Sequence, residues 1–310
     1  MKFKNYFTVL TLILLSISFF PNPVQSQNSW FSINGSENSN EDINGLDIVN
    51  SNVIYAVGGG GFIYKSVDAG NSWVKNSNNV SNQYLWSVSF ANEQKGWAVG
   101  YNGIIINTVN GGATWQIQNS GTYSGLIDVQ FLDEMTGWIV GHNGTILKTS
   151  NGGMTWLSQS NGNQDNIFNV RFINFQTGYL SGDAGVYKTT NGGDSWSNVL
   201  NESWVYSVDF INANTGWAGV RFGKMFKTID GGESWTEQNS GTGATYYSTK
   251  FLDENTGYAV GDYNTIIKTT NSGINWITEN SGVENSFAKF SRFDSYDDVG
   301  NVCYLSLIHI

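Results

Sequence analysis

The chain has 310 residues, 40% of them hydrophobic and 15% aromatic, which is enough apolar material for a packed core, while only 13% are charged. A formal charge of −10 repels phosphate backbones and anionic headgroups, so nucleic acid and a bare membrane surface are excluded as partners. One cysteine, Cys303, permits no internal disulfide, and with only His142 and His309 beside it no metal set and no cofactor are expected.

Residues 1–26 read as a secretory signal peptide: Lys2 and Lys4, an apolar run from Phe7 to Phe20, then small and polar residues ending at Val24-Gln25-Ser26. The run falls short of the ~20 residues a spanning helix needs, so no membrane insertion is expected after cleavage. Removing the leader takes away two positive charges and no negative ones, moving the formal charge from −10 to −12. The mature chain is expected to be exported, whether periplasmic, on the cell surface or secreted.

From Lys65 onward one pattern recurs six times: "KSVDAGNSW", "NTVNGGATW", "KTSNGGMTW", "KTTNGGDSW", "KTIDGGESW" and "KTTNSGINW". The tryptophans Trp73, Trp115, Trp156, Trp196, Trp235 and Trp276 step by 42, 41, 40, 39 and 41 residues, the period of a repeat architecture. Each unit holds four short β-rich runs, as in "LWSVSF", "KGWAVG", "GIIINT" and "NGGATW", bounded by turn residues. In "LWSVSF" Val88 and Phe90 alternate with Ser87 and Ser89 at the two-residue period of a strand. Four antiparallel strands per 40 residues are what a propeller blade requires.

Blades start near Leu46, Leu85, Leu126, Ile167, Val205, Tyr246 and Phe287, seven starts against six boxes. Trp30 lies 43 residues before Trp73, where an outer strand could complete the last blade from the other end of the chain. The expected fold is therefore all-β, a seven-bladed β-propeller of four-stranded antiparallel blades over 27–304, with the last blade incomplete in this chain. The ending "LSLIHI", residues 305–310, abandons the repeat and is what a sequencing-library adapter would encode, so it is read as an artefact.

In each box Asp68, Asn110, Asn151, Asn191, Asp230 or Asn271 can fold its side-chain oxygen onto backbone N–H groups of the following turn. The tryptophan then packs between sheets. Four of the six boxes carry Asn, which cannot act as a general acid, so the box is structural. The pattern Ser/Thr-x-Asp/Asn-x-Gly-x-Ser/Thr-Trp resembles the Asp-box of BNR-type repeats in sialidases and other propellers. The unit "DVQFLDEMTGWIVGHNGTILKTSNGGMTW" resembles, along its whole length, the repeats of the photosystem II stability/assembly-factor-like propellers. That resemblance spans Leu46 to Trp276 and implies a secreted or lumenal seven-bladed propeller that binds partner proteins and is not an enzyme. Its photosynthetic members bind through an arginine-rich patch, whereas this chain has only Arg171, Arg221 and Arg292, so the photosystem partner does not carry over.

Sialidase chemistry needs three arginines on one carboxylate beside a Tyr–Glu pair, and these three fall in different blades with no such pair. The acidic pairs Asp133/Glu134 and Asp253/Glu254 occupy the same turn of two blades and read as turn formers. Loops joining second to third strands open on the face opposite the boxes, and there the sequence varies. They present Tyr101, His142, Asp183, Arg221, Phe222, Asp262 and Tyr263, side chains suited to a protein or a glycan ligand. The function expected is that of a non-catalytic, monomeric binding or assembly scaffold, and the alternative is a carbohydrate-active hydrolase.

Overall fold

The structure, a computed structural model, describes residues 12–16, 31–33, 43–77, 82–280, 289–296 and 302–308. Six blades of four consecutive antiparallel strands occupy 43–279. Blade 3 shows the plan: Leu126–Phe131 innermost, then Gly137–Gly141, Ile146–Thr149 and the outer Leu157–Gln159. The innermost strands of blades 1 to 6 start at Ile43, Leu85, Leu126, Ile167, Val205 and Tyr246. Only the first departs from the sequence reading, beginning three residues before Leu46, where Asn44 and Gly45 hide it.

The expectation of seven blades is corrected to six. The remaining four-stranded sheet has the order Phe31–Ile33, Leu12–Ser16, Val302–Ile308, Lys289–Tyr296, drawing two strands from each end of the chain. It is no repeat blade, because after Asn280 the segments "GYAVG", "TIIKT" and the box do not recur. Among the described residues beyond Asn280 only the two paired strands Lys289–Tyr296 and Val302–Ile308 follow. Residues 305–308 fall within that sheet, whereas most of the expected leader, Trp30, Phe287 and His309 lie outside the described residues. Among the described residues no helix is long and apolar enough to cross a membrane.

The box proves to be a lock between blades. In blade 4 the Thr189 hydroxyl accepts from the backbone N–H of Asn191 and Gly193 and donates to Asn191 Oδ1, which also accepts from the Ser195 N–H. This cage fixes the turn so that the Gly192 carbonyl faces blade 3, where the fully buried Trp138 donates its indole N–H to it at 3.2 Å. Trp138 stacks on Phe172 of blade 4 with ring centroids 3.6 Å apart, and Trp196 of the box meets the same phenyl edge-on at 5.8 Å. The triad recurs as Tyr55–Phe90–Trp115, Trp97–Phe131–Trp156, Tyr179–Phe210–Trp235 and Trp217–Phe251–Trp276. In every junction the second-strand aromatic bonds a carbonyl in the next box: Gly111, Gly152, Gly231 and Ser272 accept in the other four.

Two further repeat features follow from this packing. Gly137, first in "GWIVG", lies under the phenyl ring of Phe131, 2.7 Å from where a Cβ would stand, so no side chain fits. The box lysines Lys65, Lys148, Lys227 and Lys268 lie 5.2–5.6 Å over the rings of Tyr55, Trp138, Trp217 and Tyr258, covering the second-strand aromatic with a cation. The sixth box keeps the Asn275 N–H bond to Asn271 but has asparagine where the other boxes close a hydroxyl bond.

Candidate functional site

The antiparallel registers put the box turns on one face with the loops joining first to second strands. The second-to-third loops share the other face with the links between blades. Thus Gly152 of a box bonds the Met135 carbonyl, while His142 bonds that of Gly125. The acids of the first-to-second loops close turns: Asp133 accepts from the N–H of Met135 and Thr136, and Asp253 from those of Asn255 and Thr256. The box residues Asp68, Asn110, Asn151, Asn191, Asp230 and Asn271 all lie on this bonded face.

On the opposite face each innermost strand carries a bulge at one position. The register slips between Ile43 and Gly45, Leu85 and Ser87, Leu126 and Asp128, Ile167 and Asn169, Val205 and Ser207, and Tyr246 and Ser248. A bulge adds an unpaired residue and re-aims its side chain. The residues so placed are Asn44, Trp86, Ile127, Phe168, Tyr206 and Tyr247, four of them aromatic, all partly buried at the second-to-third-loop end of the central channel. Strict alternation in "LWSVSF" would have put Trp86, Val88 and Phe90 on one face. The readable signal is the spacing of three in Leu85/Val88, Leu126/Val129, Ile167/Val170 and Val205/Val208, pairs that a two-residue period cannot bury together.

These rings gather the loop residues into two groups. In blades 2 and 3, Tyr101 and His142 both meet Trp86 edge-on, at 6.1 and 5.4 Å. In blades 4 to 6, Phe168 stacks on Tyr206 at 4.8 Å, Trp204 lies near-parallel to Phe168 at 6.2 Å, and Tyr247 meets Tyr206 edge-on at 5.0 Å. The Arg221 guanidinium lies 5.2 Å over Trp204 and 4.7 Å over Phe222. Asp183 accepts both N–H groups of Asn166, and Asp262 accepts the Tyr247 hydroxyl at 2.9 Å. Burial first, then the charge of Asp183, raises the Tyr206 hydroxyl above its usual range, and burial with the Asp262 bond does the same for Tyr247. Phe222 is 70% and Tyr263 69% exposed. Neither of the two groups, nor Trp204, was evident as a cluster in the sequence.

Three of these aromatics hold a left-handed backbone: Trp204 at φ 61°, Phe222 at φ 60° and Tyr263 at φ 58°. Such values are strained for bulky side chains, and Asn102 and Asn143, at φ 55° in the corresponding turns of blades 2 and 3, bear them more easily.

The channel behind this mouth, a cavity of about 280 Å³, is polar, but its carboxylates are committed. Asp128 accepts from Ser87, Val129, Asn169 and Val170, tying three innermost strands. Asp209 pairs with Arg171 at 3.2 Å and accepts the Phe251 N–H, and Asp47 accepts the Phe90 N–H. Gln130 and Ser89 bridge their neighbours at the same level. Arg171 is therefore part of a belt between blades, whereas Arg221 belongs to the aromatic rim, and the side chain of Arg292 lies outside the described residues. Among the described residues no three His, Cys, Asp or Glu side chains are grouped to hold a metal.

The fold is shared with a YCF48 bound to a D1 peptide, at a TM-score of 0.72 and 15% identity over 86% of this chain and 92% of that one. YCF48 from Cyanidioschyzon merolae gives 0.71 at 16% identity, covering 95% and 98%. An ancestral GH74 enzyme gives 0.63 at 17%, over 85% of this chain and 38% of its own. At these identities the likeness is one of fold alone. No curated protein sequence is significantly similar. Residues 16–109 and 109–205, more than half of the chain, match the photosynthesis system II assembly factor YCF48 family, and the chain belongs to that family of propellers.

Proposed function

We propose that the chain is a non-catalytic scaffold that holds an extended segment of a partner protein against the rim formed by Trp86, Phe168, Trp204, Tyr206 and Tyr247. The observation that carries this is the bulge repeated in six innermost strands, which delivers side chains to one mouth of the channel, four of them aromatic. Aromatic side chains are enriched at protein-binding patches. The family's peptide-bound member supports a peptide ligand. Committed carboxylates weigh against hydrolysis, since a general acid or base must be free to exchange its proton with substrate. The leader makes export part of the proposal, and amino-terminal sequencing of the protein recovered outside the cytoplasm checks it.

The test uses the full chain on an array of immobilised peptides and, separately, a glycan panel. Changing Tyr101, Arg221, Phe222 and Tyr263 together to Ala should abolish retention on peptides while the melting temperature barely moves. Reproducible product release from a glycan would overturn the scaffold reading. Binding that survives this variant but fails on mutating Asp133, Glu134, Asp253 and Glu254 would move the site to the box face.

A further inference from the structure

Charge narrows what the rim can take. On the described loops of this face the charged residues are Asp165, Asp183, Glu202 and Asp262 against Arg221, with Lys224 opening the adjoining strand. Glu202 and Lys224 neutralise each other at 2.9 Å, and Arg221 is already engaged with the rings of Trp204 and Phe222. Asp183 and Asp262 stand beside the aromatic group of blades 4 to 6, Asp262 holding the Tyr247 hydroxyl, and both act on the Tyr206 hydroxyl. Asp183 spends one oxygen on Asn166, and its other oxygen, Oδ1, is buried without a hydrogen-bond partner. A buried acceptor left open costs free energy that a donor from a ligand would recover.

An anionic group arriving at Tyr206 would face two carboxylates against one guanidinium. A cationic group would find the same carboxylates as counter-ions and the faces of Tyr206 and Trp204 as π-acceptors. Arg221 already lies over one of these rings, 5.2 Å above Trp204. The chain's formal charge of −10 acts in the same direction, steering basic partners toward the surface. Resting on the reading that this face binds protein, we propose that its occupant is a basic extended segment, with a lysine or arginine side chain against Tyr206 paired to Asp183 and Asp262.

The experiment probes the full chain with a combinatorial array of immobilised 12-residue peptides at low and high salt, beside the Asp183→Asn/Asp262→Asn and Tyr206→Leu variants. Bound peptides should be enriched in Lys and Arg and bind more weakly as salt screens the pairs. The double Asn variant should lose about tenfold in affinity for the best basic peptide, with its melting temperature within a few degrees of the parent. Should Asp183→Asn unfold the chain, Asp262→Asn alone, about threefold weaker, serves in its place. Enrichment of Asp and Glu, or equal binding of Lys peptides and their Gln counterparts, overturns the basic occupant while leaving a protein-binding face. Retention no higher than that of the Tyr101/Arg221/Phe222/Tyr263 variant overturns both readings.

Discussion

Replacing Trp138 by Ala measures what one junction between blades contributes. The indole is fully buried between blades 3 and 4, stacked on Phe172 at 3.6 Å, with its N–H on the Gly192 carbonyl at 3.2 Å. An indole buries roughly 150–250 Å², which at ~25 cal/mol per Å² is about 4–6 kcal/mol. The carbonyl left without its donor adds about 1 kcal/mol. Against a total of ~5–15 kcal/mol this is a large fraction, so the variant should unfold at a much lower urea concentration. Trp156, half-buried and edge-on to Phe131 at 5.8 Å, should cost about 2–3 kcal/mol when cut to Ala. Met154, 78% exposed, should stay within ~0.5 kcal/mol. Urea titrations followed by far-ultraviolet circular dichroism rank the three, and Trp138→Phe, which keeps a ring and loses the N–H, should recover more than half the loss. The reasoning fails if Trp138→Ala costs no more than Met154→Ala, or if Trp138→Phe is as damaging as Trp138→Ala.

Two other outcomes follow from the box and the rim. The Asp230 carboxyl is held at about 2, below the usual carboxylate range, chiefly by the Ser234 hydroxyl and then by the Ser234 N–H. A depressed carboxyl stabilises the fold above its unfolded value and loses that contribution as pH falls from near 4 toward 2, so Asp230→Asn should flatten that stretch of the urea-midpoint profile. An unchanged acid limb would show that the box charge is immaterial. At Phe222, substitution by Asn relieves a left-handed phenylalanine and should raise stability by about 1 kcal/mol in thermal melts while weakening peptide binding. A fall in stability would mean that the ring's contact with Arg221 outweighs the strain.

Most of the fold is legible because a period of about 40 residues exposes each strand six times, and five of the six innermost strands begin where the pattern puts them. The number of blades was not legible, since seven strand starts were counted where six full units exist and the last start has no box behind it. The partner of each box was also hidden. "KTTNGGDSW" looks self-contained, but its Gly192 carbonyl serves Trp138 of the preceding blade, 54 residues earlier, and its tryptophan packs on Phe172, about 24 residues earlier, contacts to which a local reading has no access. Loop residues such as Tyr101 and Phe222 could be picked out as variable and aromatic. Trp86, Phe168, Tyr206 and Tyr247 could not, because a bulge moves a side chain to a face that strict alternation assigns elsewhere.

The two faces differ because different bonds constrain them. On the box face Tyr55 and Lys65 both bond the Gly111 carbonyl in the next blade's box, so a change in one unit disturbs the next. Every repeat must therefore keep nearly the same residues there, and a surface that repeats around a ring offers a partner nothing to tell one blade from another. On the opposite face the bulge is a backbone feature, and it tolerates Asn44, Trp86, Ile127, Phe168, Tyr206 or Tyr247 alike. Freed from the junctions, those positions can differ blade by blade, and they do: aromatic and acidic side chains collect over blades 4 to 6, while blade 1 offers asparagine and a run of glycine. Asymmetry on a rigid ring is what recognition of one extended segment in one direction requires, so the site belongs where the repeat is least repetitive.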